Sequence, residues 1–272
     1  MELLHNKQVV IGGGIILTFV VVAIFAPWIA PNEYWKQDLR VSLSSPGAKF
    51  LFGTDEFGRD IFSRTIYGAR VSLIAALGSA ALASVLGLTL GLLAGYFGGV
   101  IDRFIQSGID IAWAFPTVLL AIVIASMAKP GLGSTVLAIT AVYWAQYARV
   151  IRGEVLSVRE EEYVTAARAS GCNHIRIMTR HIFPNVMAPV IVMISITTGY
   201  AILLEAMLSF LGVGVQPPTP SWGIILSEGR SFMSRAPWIT IFPGVVITIA
   251  VLGFNFLGDG LRDYLDPYMK RL

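Results

Sequence analysis

The chain has 272 residues, 55% of them hydrophobic and 14% charged, with a mean hydropathy of +0.71. Soluble domains carry about 25% charged residues, so the composition excludes an ordinary soluble domain and specifies a membrane protein. A net charge of +3 suits lipid headgroups or an acidic partner and is too small to point to nucleic acid.

A bilayer-spanning helix needs about 20 mostly apolar residues. Six stretches meet that length, at roughly 9–30, 71–98, 104–128, 133–152, 187–211 and 239–258, predicting an all-α polytopic membrane protein. The first is read as a span rather than a cleaved leader, because the apolar run is long and no A-x-A site follows it. Its Gly12, Gly13 and Gly14 have neither strand nor lysine beside them, so they read as packing positions. The loop over 31–70 is long. Within it Asp55/Arg59 and Asp60/Arg64 are spaced i,i+4, which predicts a surface helix with a solvated charged face before the second span.

In the third span Asp110 is read as packing or pairing with Arg103. In the fifth, Glu205 lies in apolar surroundings near one end. An ionisable residue in a span is a functional candidate, so Glu205 and the nearby Ser209 are candidates for the translocation pathway or a gate. The competing reading is snorkelling or pairing with a neighbouring helix. Pro217, Pro218 and Pro220 then break the chain, and residues 222–232 predict a re-entrant or surface helix.

Between the fourth and fifth spans lies a polar island, EEEYVTAARASGCNHIRIMTRHIFPN, at 160–185. Residues 160–170 predict a helix, with Glu160, Glu161 and Glu162 in the first turn where the dipole favours acids. Tyr163, Ala166, Ala167 and Ser170 share one small-residue face. Gly171 suits a left-handed C-terminal cap, and Asn173 suits the N-cap of a second helix. In that helix Ile175, Met178 and Ile182 are expected on one face and Arg176 and Arg180 on another. Pro184 ends it. Either the island is a solvated loop helix, or its small-residue face receives another surface and its arginines, Arg168 included, meet carboxylates.

The island resembles the EAA loop of ABC importer permeases, whose pattern is E-A-A, three residues, Gly, nine residues, I-x-L-P. Ala166, Ala167, Gly171 and Pro184 fit at the right spacing. Thr165, His181 and Phe183 depart from it, and Glu161 or Glu162 could stand in for the glutamate missing at 165. FGTDEFGRDIFSRTIYGARVSL (52–73), LEAMLSFLGVGVQPPTPSWG (204–223) and FNFLGDGLRDYLDP (254–267) resemble stretches of the dipeptide/oligopeptide/nickel permease family, C-type subunit.

The resemblance implies the type I ABC importer permease fold with six transmembrane helices and both termini cytoplasmic. Charge counting agrees: that orientation places 11 of the 20 Lys/Arg inside. It further implies an N-terminal helix and extracytoplasmic loop (1–70) ahead of a five-helix core (71–272), with a cytoplasmic coupling loop at about 153–185. The implied ATPase-coupling residues are Glu162, Ala166, Ala167, Arg168, Gly171, Cys172, Asn173, Arg176, Arg180 and Pro184. Asp259, Arg262, Asp263 and Asp266 become a structural cap at the C-terminus. The implied partners are a homologous B-type permease subunit, two ABC ATPase subunits carrying ATP and Mg²⁺, and an extracytoplasmic substrate-binding protein, in the lipid of a bacterial inner membrane. Peptide is the expected cargo; nickel or other metal chelates, glutathione and opines are the alternatives.

The residues themselves are consistent with borrowed energy. No lysine follows a glycine, so a phosphate-binding G-x-x-x-x-G-K-[ST] loop is absent. The three histidines and single cysteine, Cys172, supply no catalytic constellation and no metal site. No cofactor is expected on this chain and no enzyme activity of its own. The competing class is a self-contained secondary transporter, which needs several intramembrane charges or broken helices; Glu205 and Asp110 offer little of that, and such a carrier has no use for the island.

Overall fold

The computed structural model describes residues 6–265. Among them the secondary structure is helical, with one isolated bridge between Thr54 and Asp60. Helix α1 (Lys7–Ile24) starts at Asn6, whose side chain accepts from the Gln8 amide, and a single turn, α2 (Ala26–Ile29), follows. The next loop carries one 3-10 turn at Leu39–Val41 and no surface helix. Asp60 instead caps α3 (Ile61–Phe97), accepting from the amides of Phe62 and Ser63. The expected division at residue 70 therefore falls inside α3.

The third apolar stretch is not one helix. It is α4 (Gly99–Trp113) and α5 (Thr117–Ser126), bent by 94°. The cause is local: Pro116 disfavours helical backbone at Phe115, and its own ψ of 129° ends the run. Helix α6 (Leu132–Val158) follows, then the short α7 (Glu162–Ala169) and α8 (His174–Ile177), a π-helical turn at Met178–Ile182, and α9 (Phe183–Phe210). Helix α10 (Trp222–Gly229) and α11 (Trp238–Leu265) complete the order.

Among the described residues four helices are long and apolar enough to cross a membrane: α1, α3, the run from α8 through α9, and α11; the bent α4–α5 pair can make a fifth span. Helix α6 has the length but carries Tyr143, Gln146, Arg149 and Arg152. It is covered by protein along much of its length. The main seam is a glycine ladder on α3. Gly87, Gly91 and Gly95 recur every four residues and so lie on one face. A Cβ at Gly91 would stand 2.8 Å from the Ala148 carbonyl oxygen, and one at Gly95 would stand 2.7 Å from Val155 Cβ. The backbones of α3 and α6 approach as small residues permit in lipid. Gly12 does the same for α1, where a Cβ would stand 2.6 Å from the Gly253 carbonyl oxygen of α11, so it is a packing position, whereas a Cβ at Gly13 or Gly14 would meet nothing within 4 Å.

Helices alternate in direction, so the molecule has two ends. One end gathers the start of α1, the turn at Gly98, α7, α8 and the end of α11; Asn6 Nδ2 donates to the Gly260 carbonyl at 3.4 Å there. The other end gathers the loop over 31–60 and the segment over 211–237, joined by Trp238 Nε1 donating to Thr54 O at 3.2 Å. Helix α10 turns back into the bundle. Trp222 is fully buried, meets Phe19 edge to face, and donates to the Thr65 carbonyl at 3.0 Å.

Candidate functional site

The island folds as two short helices around a glycine. Gly171 has φ +76°, the left-handed region, and the amide of Cys172 donates to the Ala167 carbonyl at 3.1 Å, closing the C-terminus of α7. Asn173 Oδ1 accepts from the Arg176 amide at 2.8 Å and caps α8. Both caps were legible, because each depends on its own few residues.

The buried face differs from the expected one. Ile177 and Ile182 are buried while Ile175 is 68% exposed. The π-helical turn over Met178–Ile182 adds a residue per turn, which shifts the register away from a 3.6-residue pattern. Val164, Ile177 and Ile182 are the anchors; they pack with Tyr147, Ile151, Val155 and Val186 of α6 and α9, and Ala167 and Cys172 lie against this cluster. The remaining candidates, Glu162, Ala166, Arg168, Gly171, Asn173, Arg176, Arg180 and Pro184, are all exposed at the same end of the bundle. Burial and the Glu161 carboxylate push the Tyr163 phenol above its ordinary pKa.

The anchoring extends to α3. Tyr96 Oη and His174 Nδ1 share a hydrogen bond of 2.8 Å. Arg159 Nη1 donates to the Gly95 carbonyl at 2.8 Å. Arg152 Nε donates to Asp102 Oδ1 at 2.5 Å, tying α6 to α4. A hollow of about 390 Å³ opens between Tyr96, Phe97, Arg159, Glu160, Arg168 and His174. Sequence reasoning missed Tyr96 and Arg159, because their partners lie far along the chain.

At the other end Glu205 neither snorkels nor pairs with a cation. It is fully buried and accepts from Ser209 at 2.8 Å and Ser72 at 2.9 Å, with the Ser221 hydroxyl beside it. Each serine oxygen also accepts a backbone N–H: Val215 to Ser209, Trp222 to Ser72, Ile224 to Ser221. The serine protons are thereby free to point at the carboxylate. Glu205 thus holds α3, α9 and the start of α10 together from inside the chain.

The charged pairs of the 52–73 stretch are not solvated. Asp55 is fully buried and meets Arg59 Nε at 2.6 Å and Arg64 Nη1 at 2.7 Å; Arg64 also meets Glu228 at 2.5 Å. Asp60 serves as a cap and hydrogen-bonds Ser63 rather than pairing with Arg64. Asp110 pairs with Arg149 at 3.2 Å, not with Arg103. Asp259 and Asp263 lie in the last turns of α11, and Asp266 lies outside the described residues. Among the described residues no group of three or more His, Cys, Asp or Glu could hold a metal ion.

Comparison with known proteins shows the family and the fold. Residues 87–271 match the family described as binding-protein-dependent transport system inner membrane component, and residues 1–46 match the N-terminal TM domain of oligopeptide transport permease C. The chain is 46% identical over 269 residues to the dipeptide transport system permease protein DppC of Alkalihalophilus pseudofirmus, covering 99% of this chain and 88% of the relative. It is 43% identical to the di/tripeptide transport system permease protein DppC of Pseudomonas aeruginosa, covering 98% and 90%. It is 40% identical to the glutathione transport system permease protein GsiD of Pectobacterium atrosepticum, covering 98% and 89%. In fold it resembles a chain of the inward-facing MetNI methionine ABC transporter, with a TM-score of 0.62 and 18% identity over 75% of this chain and 96% of that one.

Proposed function

The chain belongs to the binding-protein-dependent transport system inner membrane component family, and from that premise we propose that it is the C-type permease subunit of an ATP-driven importer of di- and oligopeptides. It is a multi-pass inner-membrane protein. The relatives that cover nearly the whole chain are named for dipeptide and di/tripeptide transport, which supports the cargo.

We place six spans across the bilayer, with α6 as the protein-covered one and the bent α4–α5 pair as another. Both termini and the α7–α8 element are cytoplasmic, and the loop over 31–60 is extracytoplasmic. A B-type subunit completes the channel, two ABC ATPases bind below and hold ATP and Mg²⁺, and an extracytoplasmic binding protein delivers peptide above. This chain binds no cofactor and hydrolyses nothing itself.

The observation that carries the coupling role is the pose of α7–Gly171–α8. Its small-residue and arginine surface is exposed, while Val164, Ile177 and Ile182 fix it to α6 and α9. Ala166, Arg168, Arg176 and Arg180 are then the contact residues for an ATPase cleft; Glu162 and Pro184 bound the element. Ala167, Gly171, Cys172 and Asn173 keep it stiff. Closure of the ATPases moves it as a rigid lever, which turns the spans from inward-facing to outward-facing. Glu205 and Ser209 serve a gate, holding α10 in place rather than touching cargo.

Reconstitution of this chain with the B-type subunit, the two ATPases and the binding protein in proteoliposomes tests this. Peptide uptake that needs ATP, the binding protein and this chain is the expected result; uptake driven by an ion gradient without ATPases would contradict it. The 40% identity to a glutathione permease supports one second cargo, the modified tripeptide glutathione, which the same vesicles can test.

A further inference from the structure

We propose that the face of α6 carrying Tyr143 and Gln146, together with the α4–α5 break opposite it, is a contact site for the backbone of the peptide in transit. The site rests on the importer reading above and adds residues to it.

The break and the α6 face enclose a cleft of about 230 Å³ lined by Trp113, Phe115, Thr117, Tyr143 and Gln146. Gln146 is exposed. At 1.5 Å per residue it lies about 21 Å from Leu132 and about 18 Å from Val158, near the middle of α6 and inside the apolar stretch over 133–152. A bare amide facing hydrocarbon there would lose its hydrogen bonds. The backbone at 114–116 is likewise irregular, and irregular backbone at membrane depth persists only inside protein or beside water. Two features that lipid would reject therefore face each other across one cleft.

Charge points the same way. Asp110 and Arg149, one step further along the same helices, pair at 3.2 Å with side chains 67% and 44% exposed, and the Arg149 guanidinium lies 4.0 Å over the Trp113 ring. By contrast, the hollow formed by Val118, Leu203, Met207 and Phe210 is apolar throughout and suits lipid chains. The cleft has the chemistry of a peptide unit. The Gln146 amide offers one acceptor and two donors, as a peptide bond needs, and the Tyr143 hydroxyl offers either. Trp113 and Phe115 give cargo side chains apolar cover without selecting among them. Discontinuous helices near the midplane build such sites in other transporters.

The test replaces Gln146 with the photoreactive residue p-benzoylphenylalanine in the complete reconstituted complex, with radiolabelled dialanine and trialanine as probes and Phe104, exposed on α4 and outside the cleft, as control position. Label should reach this chain from position 146, and not from 104, when ATP and loaded binding protein are present. In parallel, Gln146→Leu should lower peptide uptake by about three- to tenfold, the worth of one lost hydrogen bond, with binding-protein-stimulated ATP hydrolysis held within about twofold. Capture of the neighbouring permease subunit at 146 regardless of peptide would overturn the assignment and make the cleft a subunit interface. Uptake by the unmodified complex with no label at 146 would also overturn it, leaving the importer reading intact. No uptake of either peptide by the unmodified complex would overturn the peptide cargo and this site together.

Discussion

The Tyr96 hydroxyl at the end of α3 lies 2.8 Å from His174 Nδ1 at the start of α8, across 78 residues of sequence. The Arg159 guanidinium holds the Gly95 carbonyl from the other side of α7. The last turn of α3 is therefore held from both sides of α7, by Arg159 before it and by His174 after it.

Tyr96→Phe removes that hydrogen bond and little volume. It should cost about 1 kcal/mol of stability and lower peptide uptake per ATP hydrolysed, measured together in proteoliposomes. An unchanged ratio would mean that the contact is scaffolding only.

Gly171 holds φ at +76° and its amide donates to Arg168. Proline fixes φ near −65° and removes the donor. Gly171→Pro should leave the chain inserted while uncoupling transport from hydrolysis. Gly171→Ala, which strains φ alone, should cost about 1 kcal/mol with milder uncoupling. Normal uptake by the proline variant would count against the lever.

Gly91 receives the Ala148 carbonyl and the Ile151 side chain of α6. Gly91→Val pushes the two helices apart and should lower the detergent-solubilised melting temperature, by the equivalent of about 1–3 kcal/mol for overpacking. Gly78, with nothing within 4 Å of an added Cβ, should accept alanine with little change.

Asp55 lies between Arg59 and Arg64, and Arg64 reaches Glu228 of α10. Asp55→Ala leaves two buried guanidinium groups short of an anion and should cost about 3–5 kcal/mol, read by thermal unfolding in detergent. A loss below about 1 kcal/mol would mean that water reaches the network.

Burial, then the nearby Asp55 and Glu228 carboxylates, raise the Glu56 pKa above its ordinary value. A raised acid contributes stability that is full below its unfolded pKa and is lost as pH rises through the folded one. Protection of the 38–60 backbone amides should thus weaken as pH climbs from about 4 toward 7, by hydrogen exchange corrected for intrinsic rates, and Glu56→Gln should flatten the profile.

Much of this was legible where the cause is local. Each predicted apolar stretch is helical, and Gly171 and Asn173 announce their caps by type and spacing. The bend at Pro116 carried a signal, the Phe-Pro step, that hydropathy averages away. Ile175 and Ile177 exchanged places because a π-helical turn has no period that an i,i+3,i+4 pattern can register. The i,i+4 spacing found Asp55 with Arg59 but read it as solvated, since the burial comes from α10, far along the chain. Glu205 was visible as a charge in a greasy run, whereas its serines on α3 and before α10 were not.

The most direct test of the coupling role is site-specific crosslinking from residues 166–176 in native membranes that contain the partner subunits. The account predicts capture of an ABC ATPase subunit, strongest from Ala166 and Arg176, which are exposed. Capture of lipid or of this chain alone would contradict it and leave α7–Gly171–α8 without the partner its exposed surface is proposed to receive.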